Sequence, residues 1–383
     1  MTRTLVLPFL LCILLLTACQ PIQPVTDASP PAPMEQTLSW DEITLELKIA
    51  DAMSAGPVAI ARDATILDWP TDASNGEWPV LREGNNGWTC ITDDWGIANN
   101  TPTDDPMCLD DAWVQWFKAF WNGEEPAVTT IGISYMYQGG TVADNNELVM
   151  APPAGQPWQF DPPHIMLLFP GEADLSAFPS EMSMGAPYLM WGDTPYKHIM
   201  APIVTESLAP VDPSDRIGNA MSAAPHEIAA AATIIDWPTD GTADFPVLRE
   251  GSNGWTCIPD DNVLEQPTLA NDPMCMDAMW VEWLHALFEG REPNITQPGI
   301  IYVLQGGSAA DMEDPSVMTP AEGAAWQMLP PHLAVLYPGG LDENAWSHDH
   351  TSGAPYIMWG GTPYEHLMIP VDPVVTGAIA AHH

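Results

Sequence analysis

Residues 185–198 read GAPYLMWGDTPYKH, and residues 353–366 read GAPYIMWGGTPYEH, so one phrase occurs twice in the chain. Earlier phrases recur in the same order, displaced by 167 or 168 positions (257 minus 90, and 366 minus 198). The recurring pairs are 68–72 with 236–240, 81–84 with 248–251, 87–90 with 254–257, 105–108 with 272–275, 138–140 with 305–307, and 162–164 with 330–332. A repeat of this length indicates duplication of a whole domain rather than a short solenoid repeat.

The repeat predicts two tandem homologous domains at residues 39–202 and 221–370, with a linker at 203–220 and a C-terminal tail at 371–383. Apolar periodicity places helices early and strands late in each copy, which favours an α+β fold with a mostly antiparallel sheet. Ser39 and Asp212 are the expected helix N-caps. The other expected elements are a hairpin over 80–91, a helix over 110–121, a half-buried strand over 131–137, and strands at 165–169, 188–191 and 198–200.

The N-terminal sequence predicts export and lipid anchoring. An apolar run over 5–16 follows one positive charge, which is the pattern of a signal peptide covering residues 1–18. The tetrapeptide Leu16-Thr17-Ala18-Cys19 resembles the bacterial lipobox, and this resemblance implies that Cys19 carries diacylglycerol. Residues 19–38 are rich in proline and predict a tether. We therefore expect a membrane-anchored lipoprotein facing the periplasm or the cell exterior.

The charge balance limits the classes of partner. The formal net charge is −42, because 51 acidic residues face only nine lysines and arginines. Such a surface repels nucleic acid and anionic lipid headgroups, so nucleic-acid binding is excluded. Attraction of divalent cations, adaptation to a salty medium and simple solubility are the remaining interpretations.

The cysteines of the repeats predict one disulfide bond in each copy. Four cysteines remain beyond the signal peptide and Cys19, with the same 18-residue spacing in both copies. Because the protein is expected outside the cytosol and has no C-x-x-C, disulfides are favoured over a metal or redox pair. The expected bonds are Cys90–Cys108 and Cys257–Cys275.

The repeated phrases together resemble a type of domain found in bacterial secreted proteins and lipoproteins. The phrases that carry the resemblance are DWPTD, LREGxNGWTC, DPMC, QGG, PPH and GAPYxMWGxTPYxH. This resemblance implies no particular activity.

Two histidine positions occur in both copies and are the candidate metal ligands. They are His164 with His332, and His198 with His366. Methionine follows two residues later at three of the four, which places both side chains on one strand face; Ala334 is the exception. Imidazole with thioether suits copper. The alternative is that these histidines are hydrogen-bonded at sheet edges and the methionines belong to the core.

Arginine and tryptophan positions shared by the copies are further candidates for ligand binding. Arg82 and Arg249 are expected either to pair with a carboxylate such as Asp68 or Asp236, or to bind an anionic group. Trp191 and Trp359 are expected near loops, where an indole either stacks on a ligand or covers the edge of the core.

The sequence predicts a cell-envelope lipoprotein with tandem binding domains for an envelope or extracellular ligand. No nucleophile elbow, P-loop, dinucleotide motif, HExxH or EF-hand loop is present in the sequence, so no common enzyme class is indicated. One alternative is an extracytoplasmic protein that binds copper or another divalent cation through histidine and methionine. The other is an envelope-polymer hydrolase with His164 or His198 as base. No cofactor is otherwise implied.

Overall fold

The computed structural model describes residues 44–70, 78–93, 105–171, 173–203, 211–239, 242–262, 264 and 268–371. We call residues 44–203 the first half and residues 211–371 the second half. The signal peptide, Cys19, the tether, the N-cap expected at Ser39 and the C-terminal tail lie outside the described residues. Among the helices that are described, none has the length and apolar character needed to cross a bilayer.

The two halves contain the same elements in the same order. In the first half these are α1 (Leu45–Ser54), α2 (Val58–Ala61), β1 (Thr65–Leu67), β2 (Val80–Arg82), β3 (Thr89–Ile91), β4 (Met107–Leu109), α3 (Asp111–Asn122), β5 (Gly132–Met136), β6 (Gly140–Val142), β7 (Gln159–Asp161), β8 (His164–Leu168), β9 (Tyr188–Met190) and β10 (His198–Pro202).

In the second half they are α4 (Arg216–Met221), α5 (His226–Ala229), β11 (Thr233–Ile235), β12 (Val247–Arg249), β13 (Thr256–Ile258), β14 (Met274–Met276), α6 (Ala278–Glu289), β15 (Gly299–Val303), β16 (Gly307–Ala309), β17 (Gln327–Leu329), β18 (His332–Leu336), β19 (Tyr356–Met358) and β20 (His366–Pro370). The expected α+β class with a duplicated, mostly antiparallel sheet is confirmed.

Each half is built on one eight-stranded sheet. The strand order is β2-β1-β3-β4-β5-β8-β10-β9 in the first half, and β12-β11-β13-β14-β15-β18-β20-β19 in the second. The pair β1/β3 is parallel, as is β11/β13, and the other neighbours are antiparallel. The short hairpins β6/β7 and β16/β17 lie beside these sheets as separate two-stranded sheets.

Three local predictions were wrong. The segments 80–82 and 89–91 do not form a hairpin, because β1 lies between them and pairs with both. The strand β5 is buried on both faces rather than half-buried, because a helix covers one face and the other half of the molecule covers the opposite face. The helix α4 has its N-cap at Asp215, which accepts from the Gly218 amide, and not at Asp212.

The helix α3 begins and ends where its sequence predicts. The carboxylate of Asp110 caps it by accepting a hydrogen bond from the Trp113 amide at 2.8 Å. Gly123 ends it in the left-handed conformation, at φ 68°, which a glycine adopts without steric cost. Asp277 and Gly290 do the same for α6. These two helices lie on the faces of the sheets that we call the outer faces.

The inner faces of the two sheets belong to one hydrophobic core. That core includes Ile133, Tyr135 and Leu167 from the first half together with Tyr302 and Val335 from the second. Two reciprocal hydrogen bonds cross between the halves: the Tyr135 hydroxyl donates to the Pro370 carbonyl at 3.2 Å, and the Tyr302 hydroxyl donates to the Pro202 carbonyl at 2.9 Å. The two copies therefore pack as one compact unit in the described structure. The domain boundaries stay a prediction.

Both predicted disulfide bonds are present, each within one half. Cys90–Cys108 joins β3 to β4, and Cys257–Cys275 joins β13 to β14. In each pair the two cysteines stand directly opposite each other in the sheet. Their side chains lie in the shared core, so each bond fixes two neighbouring strands where the halves meet.

Candidate functional site

A cavity of about 170 Å³ lies on the outer face of the first half, between α3, the sheet and the β6/β7 hairpin. Its wall is mostly apolar and consists of tryptophan, phenylalanine and methionine side chains. The polar groups in it are few and include His164, His198, Asp105 and Asp161. A mostly apolar pocket with a few convergent polar groups is the usual form of a small-ligand site.

His164 and His198 lie on neighbouring strands and line this cavity together. His164 begins β8 and His198 begins β10, and the two strands are antiparallel neighbours. The register places Met166 directly opposite Met200. Because side chains two residues apart share a strand face, the outer face carries His164, the Met166–Met200 pair and His198 as one contiguous patch.

In each imidazole one ring nitrogen is hydrogen-bonded to a backbone carbonyl and the other has no hydrogen-bond partner among the described residues. His164 Nδ1 lies 2.6 Å from the Pro162 carbonyl oxygen, and His198 Nδ1 lies 2.9 Å from that of Tyr196. A carbonyl only accepts hydrogen bonds, so each Nδ1 carries the proton and each Nε2 presents a lone pair. Both Nε2 atoms are buried and have no hydrogen-bond partner among the described residues.

Burial keeps both imidazoles neutral at physiological pH. It lowers the pKa of His164, against a smaller upward effect of Asp161, and lowers the pKa of His198 to about 4. His164 further lowers the pKa of His198 through charge repulsion, so the two rings are close enough to interact electrostatically. Neutral imidazoles with free Nε2 lone pairs are acceptors or metal ligands without prior loss of a proton.

Three tryptophans surround the imidazole of His198. The ring centroids of Trp113, Trp116 and Trp191 lie 5.2, 5.6 and 5.5 Å from that of the histidine, each at a steep interplanar angle. Trp280, Trp283 and Trp359 surround His366 in the same way. The sequence analysis did not predict this arrangement of three tryptophans around a histidine.

Trp191 has an unusual backbone conformation that the second half repeats. Its φ is 52°, and that of Trp359 is 56°, in the left-handed region that bulky residues rarely adopt. The Trp191 indole nitrogen donates to the Asp144 carbonyl at 3.1 Å, and the ring stacks on Phe120. The strained turn thus places the indole against the cavity and against His198.

Asp161 is a site residue that the sequence analysis did not identify. Its carboxylate accepts a 2.5 Å hydrogen bond from the Tyr188 hydroxyl, and both side chains are buried. Burial raises the pKa of Asp161, while nearby His164 lowers it. A difference between the copies could have identified it from the sequence, since Leu329 stands at the corresponding position in the second half.

The repeated Gln-Gly-Gly phrase fixes the entry to the hairpin that borders the cavity. Gly139 has a φ of 78°, and a Cβ atom there would lie 2.5 Å from the Asp161 carbonyl oxygen. Gly306 approaches the Leu329 carbonyl in the same way. Only glycine allows this close passage of the two backbones.

The second half keeps the histidines and loses much of their surroundings. His332 and His366 also direct Nδ1 at backbone carbonyls, at 2.7 and 2.9 Å. The positions of Ser134, Met136, Asp161 and Met166 are occupied there by Ile301, Val303, Leu329 and Ala334. Without the carboxylate, the hydroxyl of Tyr356 is buried and lacks a partner among the described residues.

The structure does not bring Arg82 and Arg249 to this site, and their predicted carboxylate partners were wrong. Arg82 donates to the carbonyls of Ala61 and Ala64 at 2.7 and 2.9 Å, and Arg249 bonds to the equivalent carbonyls of the second half. Asp68 instead pairs with Lys48 at 2.6 Å. Asp236 pairs with Arg216.

Three acidic side chains form a cluster in the second half. The carboxylates of Asp260, Asp261 and Asp272 have oxygens within 4.8 Å of one another. Thr268 donates to Asp261 and Asp272, and burial raises the pKa of both carboxyls. Because Thr268 links two of these carboxylates, we interpret the cluster as a structural feature of the fold and not as a metal site.

Comparison with protein-family models, with curated proteins and with solved structures finds no match for this chain.

Proposed function

We propose that this protein is an exported, membrane-tethered binding protein whose small ligand occupies the cavity on the outer face of the first half. The observation that carries the proposal is the pair of buried Nε2 atoms of His164 and His198. Leaving a buried polar atom without a partner costs free energy, so such atoms in a cavity call for a ligand that satisfies them.

Binding is favoured over hydrolysis by the surroundings of the same two histidines. No hydroxyl or thiol of a described residue hydrogen-bonds to either Nε2 atom. A serine, threonine or cysteine nucleophile that is activated by a histidine base needs that contact. The two interacting polar groups nearby, Asp161 and Tyr188, hydrogen-bond to each other instead.

The test is nuclear magnetic resonance of the protein labelled with ¹³C at the methionine methyl groups. We choose three probes: benzene, because apolar cavities of roughly 150 Å³ bind it; tetramethylammonium, because aromatic cages bind such cations; and Cu(I). We expect at least one probe to shift the methyl signals of Met136, Met166 and Met200 in a saturable manner. The methyls of Met358 and Met368 serve as internal controls. Absence of a shift with all three probes overturns the proposal.

Membrane tethering is supported by the lipobox and the proline-rich segment after it, and the two disulfides fit an exported protein. We expect Cys19→Ser to move the protein from the membrane fraction to the soluble fraction, with its circular dichroism unchanged. Retention of the variant in washed membranes would show that something other than the lipid on Cys19 holds the protein there.

A further inference from the structure

We propose that the ligand of the cavity is a small uncharged molecule that carries a hydroxyl group on an apolar body, and that this hydroxyl binds between His198 and the indoles of Trp113 and Trp116. This inference rests on the proposed function. It names the chemical class of the ligand and the end of the cavity that its polar group occupies.

The first step is the set of unpaired nitrogen atoms around His198. His198 Nε2, Trp113 Nε1 and Trp116 Nε1 are all buried and have no hydrogen-bond partner among the described residues. All three residues line the cavity. The ring centroids of the two tryptophans lie 5.2 and 5.6 Å from that of His198, and 4.9 Å from each other. Burying unpaired polar atoms costs free energy, which a ligand that pairs with them recovers.

The second step is the hydrogen-bonding character of these nitrogens. His198 Nδ1 donates to the Tyr196 carbonyl oxygen at 2.9 Å, so Nε2 has no proton and only accepts. An indole N–H only donates. The site therefore requires a group that donates to the imidazole and accepts from an indole. A hydroxyl does both through one oxygen atom, whereas a carbonyl only accepts and an ammonium only donates.

The third step is the charge of the ligand. Burial lowers the pKa of His198 to about 4, so at physiological pH its imidazole is neutral and offers no positive charge to an anion. The rest of the wall is mostly apolar, which penalises any ionised group. Trp113, Trp116 and Trp191 already surround the imidazole, so they do not form an empty cage for an organic cation.

The fourth step is the size of the ligand. An apolar cavity of roughly 150 Å³ binds benzene. The cavity of the first half measures about 170 Å³, which leaves room for about one further nonhydrogen atom. Phenol adds an oxygen to benzene, and toluene adds a carbon. These two molecules therefore match the cavity equally in size and differ in the hydroxyl group alone.

The hydroxyl is assigned to His198 and not to His164. The sheet register places His164 opposite Pro202, four residues along β10 from His198 (202 minus 198), which is roughly 13 Å of strand. The Met166–Met200 pair lies between the two histidines. One hydroxyl group therefore serves one histidine, and unpaired donors lie beside an unpaired acceptor at His198.

The second half does not repeat this set of polar atoms. The indole N–H of Trp283 donates to the Tyr364 carbonyl at 3.3 Å, whereas that of Trp116, at the equivalent position, has no partner in the described structure. Of the three equivalent ring nitrogens in the described second half, Trp280 Nε1 alone is both buried and unpaired. We therefore expect one ligand for each chain, in the first half.

The experiment is a titration of the full mature protein with phenol and with toluene, followed at the ¹³C-labelled methionine methyl groups. Met190 pairs with His198 across β9 and β10 and lines the cavity, and Met358 is the matched control in the second half. We expect phenol to bind at least as tightly as toluene. A cavity without polar partners would favour toluene at least tenfold, since burial of an unpaired hydroxyl costs free energy. Tighter binding of toluene than of phenol overturns the inference.

His198→Phe and His366→Phe form a matched pair of variants. Each removes a hydrogen bond from Nδ1 to a tyrosine carbonyl at 2.9 Å, so the structural losses are alike. We expect His198→Phe to bind toluene at least tenfold more tightly than phenol, and His366→Phe to keep the native ratio. An unchanged ratio in His198→Phe, or the same change in both variants, overturns the assignment. Urea unfolding of both variants shows whether the fold is retained.

A measurement on the native protein keeps the test decisive if His198→Phe does not fold. We expect saturating phenol, but not toluene, to shift the ¹⁵N signal of His198 Nε2 toward that of a hydrogen-bonded nitrogen. The Nε2 signals of His164 and His366 should stay in place. A shift at His164 in place of His198 assigns the hydroxyl to the other end of the cavity and overturns the inference.

The same titrations separate failure of the hydroxyl assignment from failure of the binding function. If toluene binds in a saturable manner and more tightly than phenol, the hydroxyl site is refuted and the cavity remains a binding site for an apolar ligand. If phenol, toluene, benzene, tetramethylammonium and Cu(I) all leave the methyl signals unchanged, both proposals fall. A parallel titration with 1-hexanol, an open-chain alcohol of similar size, shows whether the hydroxyl belongs to an aromatic or an aliphatic ligand.

Discussion

At the scale of single residues, Tyr188 and Tyr356 show how one substitution elsewhere changes the role of an unchanged side chain. Both are fully buried at equivalent positions. The Tyr188 hydroxyl donates to Asp161. In the second half Leu329 stands at the position equivalent to Asp161, and the Tyr356 hydroxyl has no partner in the described structure. The halves have therefore diverged in polarity at the outer face.

This pair gives the first prediction. Tyr188→Phe leaves the Asp161 carboxylate buried without its donor, and we expect a loss of about 1–3 kcal/mol in the free energy of unfolding. Tyr356→Phe removes a hydroxyl that has no partner, so we expect a change near zero or a slight gain. Urea unfolding of both variants measures the difference. Equal losses would contradict the hydrogen-bond assignment.

The backbone of Trp191 gives the second prediction. A non-glycine residue in the left-handed region pays roughly 1–2 kcal/mol, which glycine avoids. We expect Trp191→Gly to be more stable than Trp191→Ala by about 1 kcal/mol, although both lose the indole. Trp113, in the helix α3, is the control, because there the alanine variant should be the more stable of the two. The same order of stability at both positions would argue against strain at Trp191.

The buried histidines give the third prediction, for which His366 is suited because we assign it no ligand. Burial lowers its pKa to about 4, below the usual value of 6.5. The unfolded chain therefore binds a proton more readily than the folded chain between pH 6.5 and pH 4. The stability that neutral His366 contributes is present above pH 6.5 and is lost as the pH falls toward 4.

We expect the advantage in unfolding free energy of the native protein over His366→Gln to fall by up to about 1.4 kcal/mol for each pH unit in this interval. Urea unfolding of both proteins at four pH values, with a chelator present, measures it. Taking the difference cancels the titration of the other groups. A difference that does not depend on pH would mean that His366 is protonated as easily in the fold as outside it.

At the scale of elements, α3 carries the aromatic wall of the cavity, and Asp110 attaches this helix to the sheet. Its carboxylate accepts from the Trp113 amide at the start of α3 and from the Ile133 amide of β5 at 2.6 Å. One side chain therefore fixes the position of the helix on the outer face. Asp215 caps the short helix α4 through a single exposed contact with Gly218.

The fourth prediction compares these two caps. We expect Asp110→Ala to cost about 2–4 kcal/mol, since it removes a cap and also leaves the buried Ile133 amide without a partner. We expect Asp215→Ala to cost about 1 kcal/mol or less. Thermal or urea unfolding compares them, and a similar small loss in both would show that Asp110 does not attach α3 to the sheet.

Most elements were predictable from local sequence, but their neighbours were not. The helix α3 follows from its cap, its apolar spacing and Gly123, all of which act within a few residues. The hairpin predicted over 80–91 was wrong, because β1 lies between β2 and β3 in the sheet although these two strands are adjacent along the chain. Pairing of β1 with β3 in parallel is decided by contacts between segments more than 20 residues apart.

At the scale of the whole molecule, the duplication has produced two halves with a common interior. Apolar side chains of both inner faces form one core, and Phe169 stacks on Tyr337 across it with centroids 6.1 Å apart. The Tyr337 hydroxyl donates to the Pro170 carbonyl at 2.9 Å, also across the halves. Separation of the halves would expose that core to water.

The fifth prediction is that the two halves unfold in one cooperative transition. We expect one calorimetric transition, with equal calorimetric and van't Hoff enthalpies. We also expect Val335→Ala, a buried change in the second half, to lower the unfolding temperature of both halves by the same amount. The methyl signals of Met136 and Met166 follow the first half, and that of Met368 follows the second. Two separate transitions would show that each half is an independent domain.

By itself the sequence determined the duplication, the α+β class, the spacing of the disulfides and the identity of the repeated histidines, because these depend on composition, periodicity and an internal comparison. Only the tertiary structure decided which histidines share a cavity, which carboxylate interacts with them and what Arg82 does. Those relations join residues far apart in the chain through sheet register and burial. A buried Nε2 without a partner is a property of the packed structure, and it distinguishes a candidate ligand from a histidine at a sheet edge.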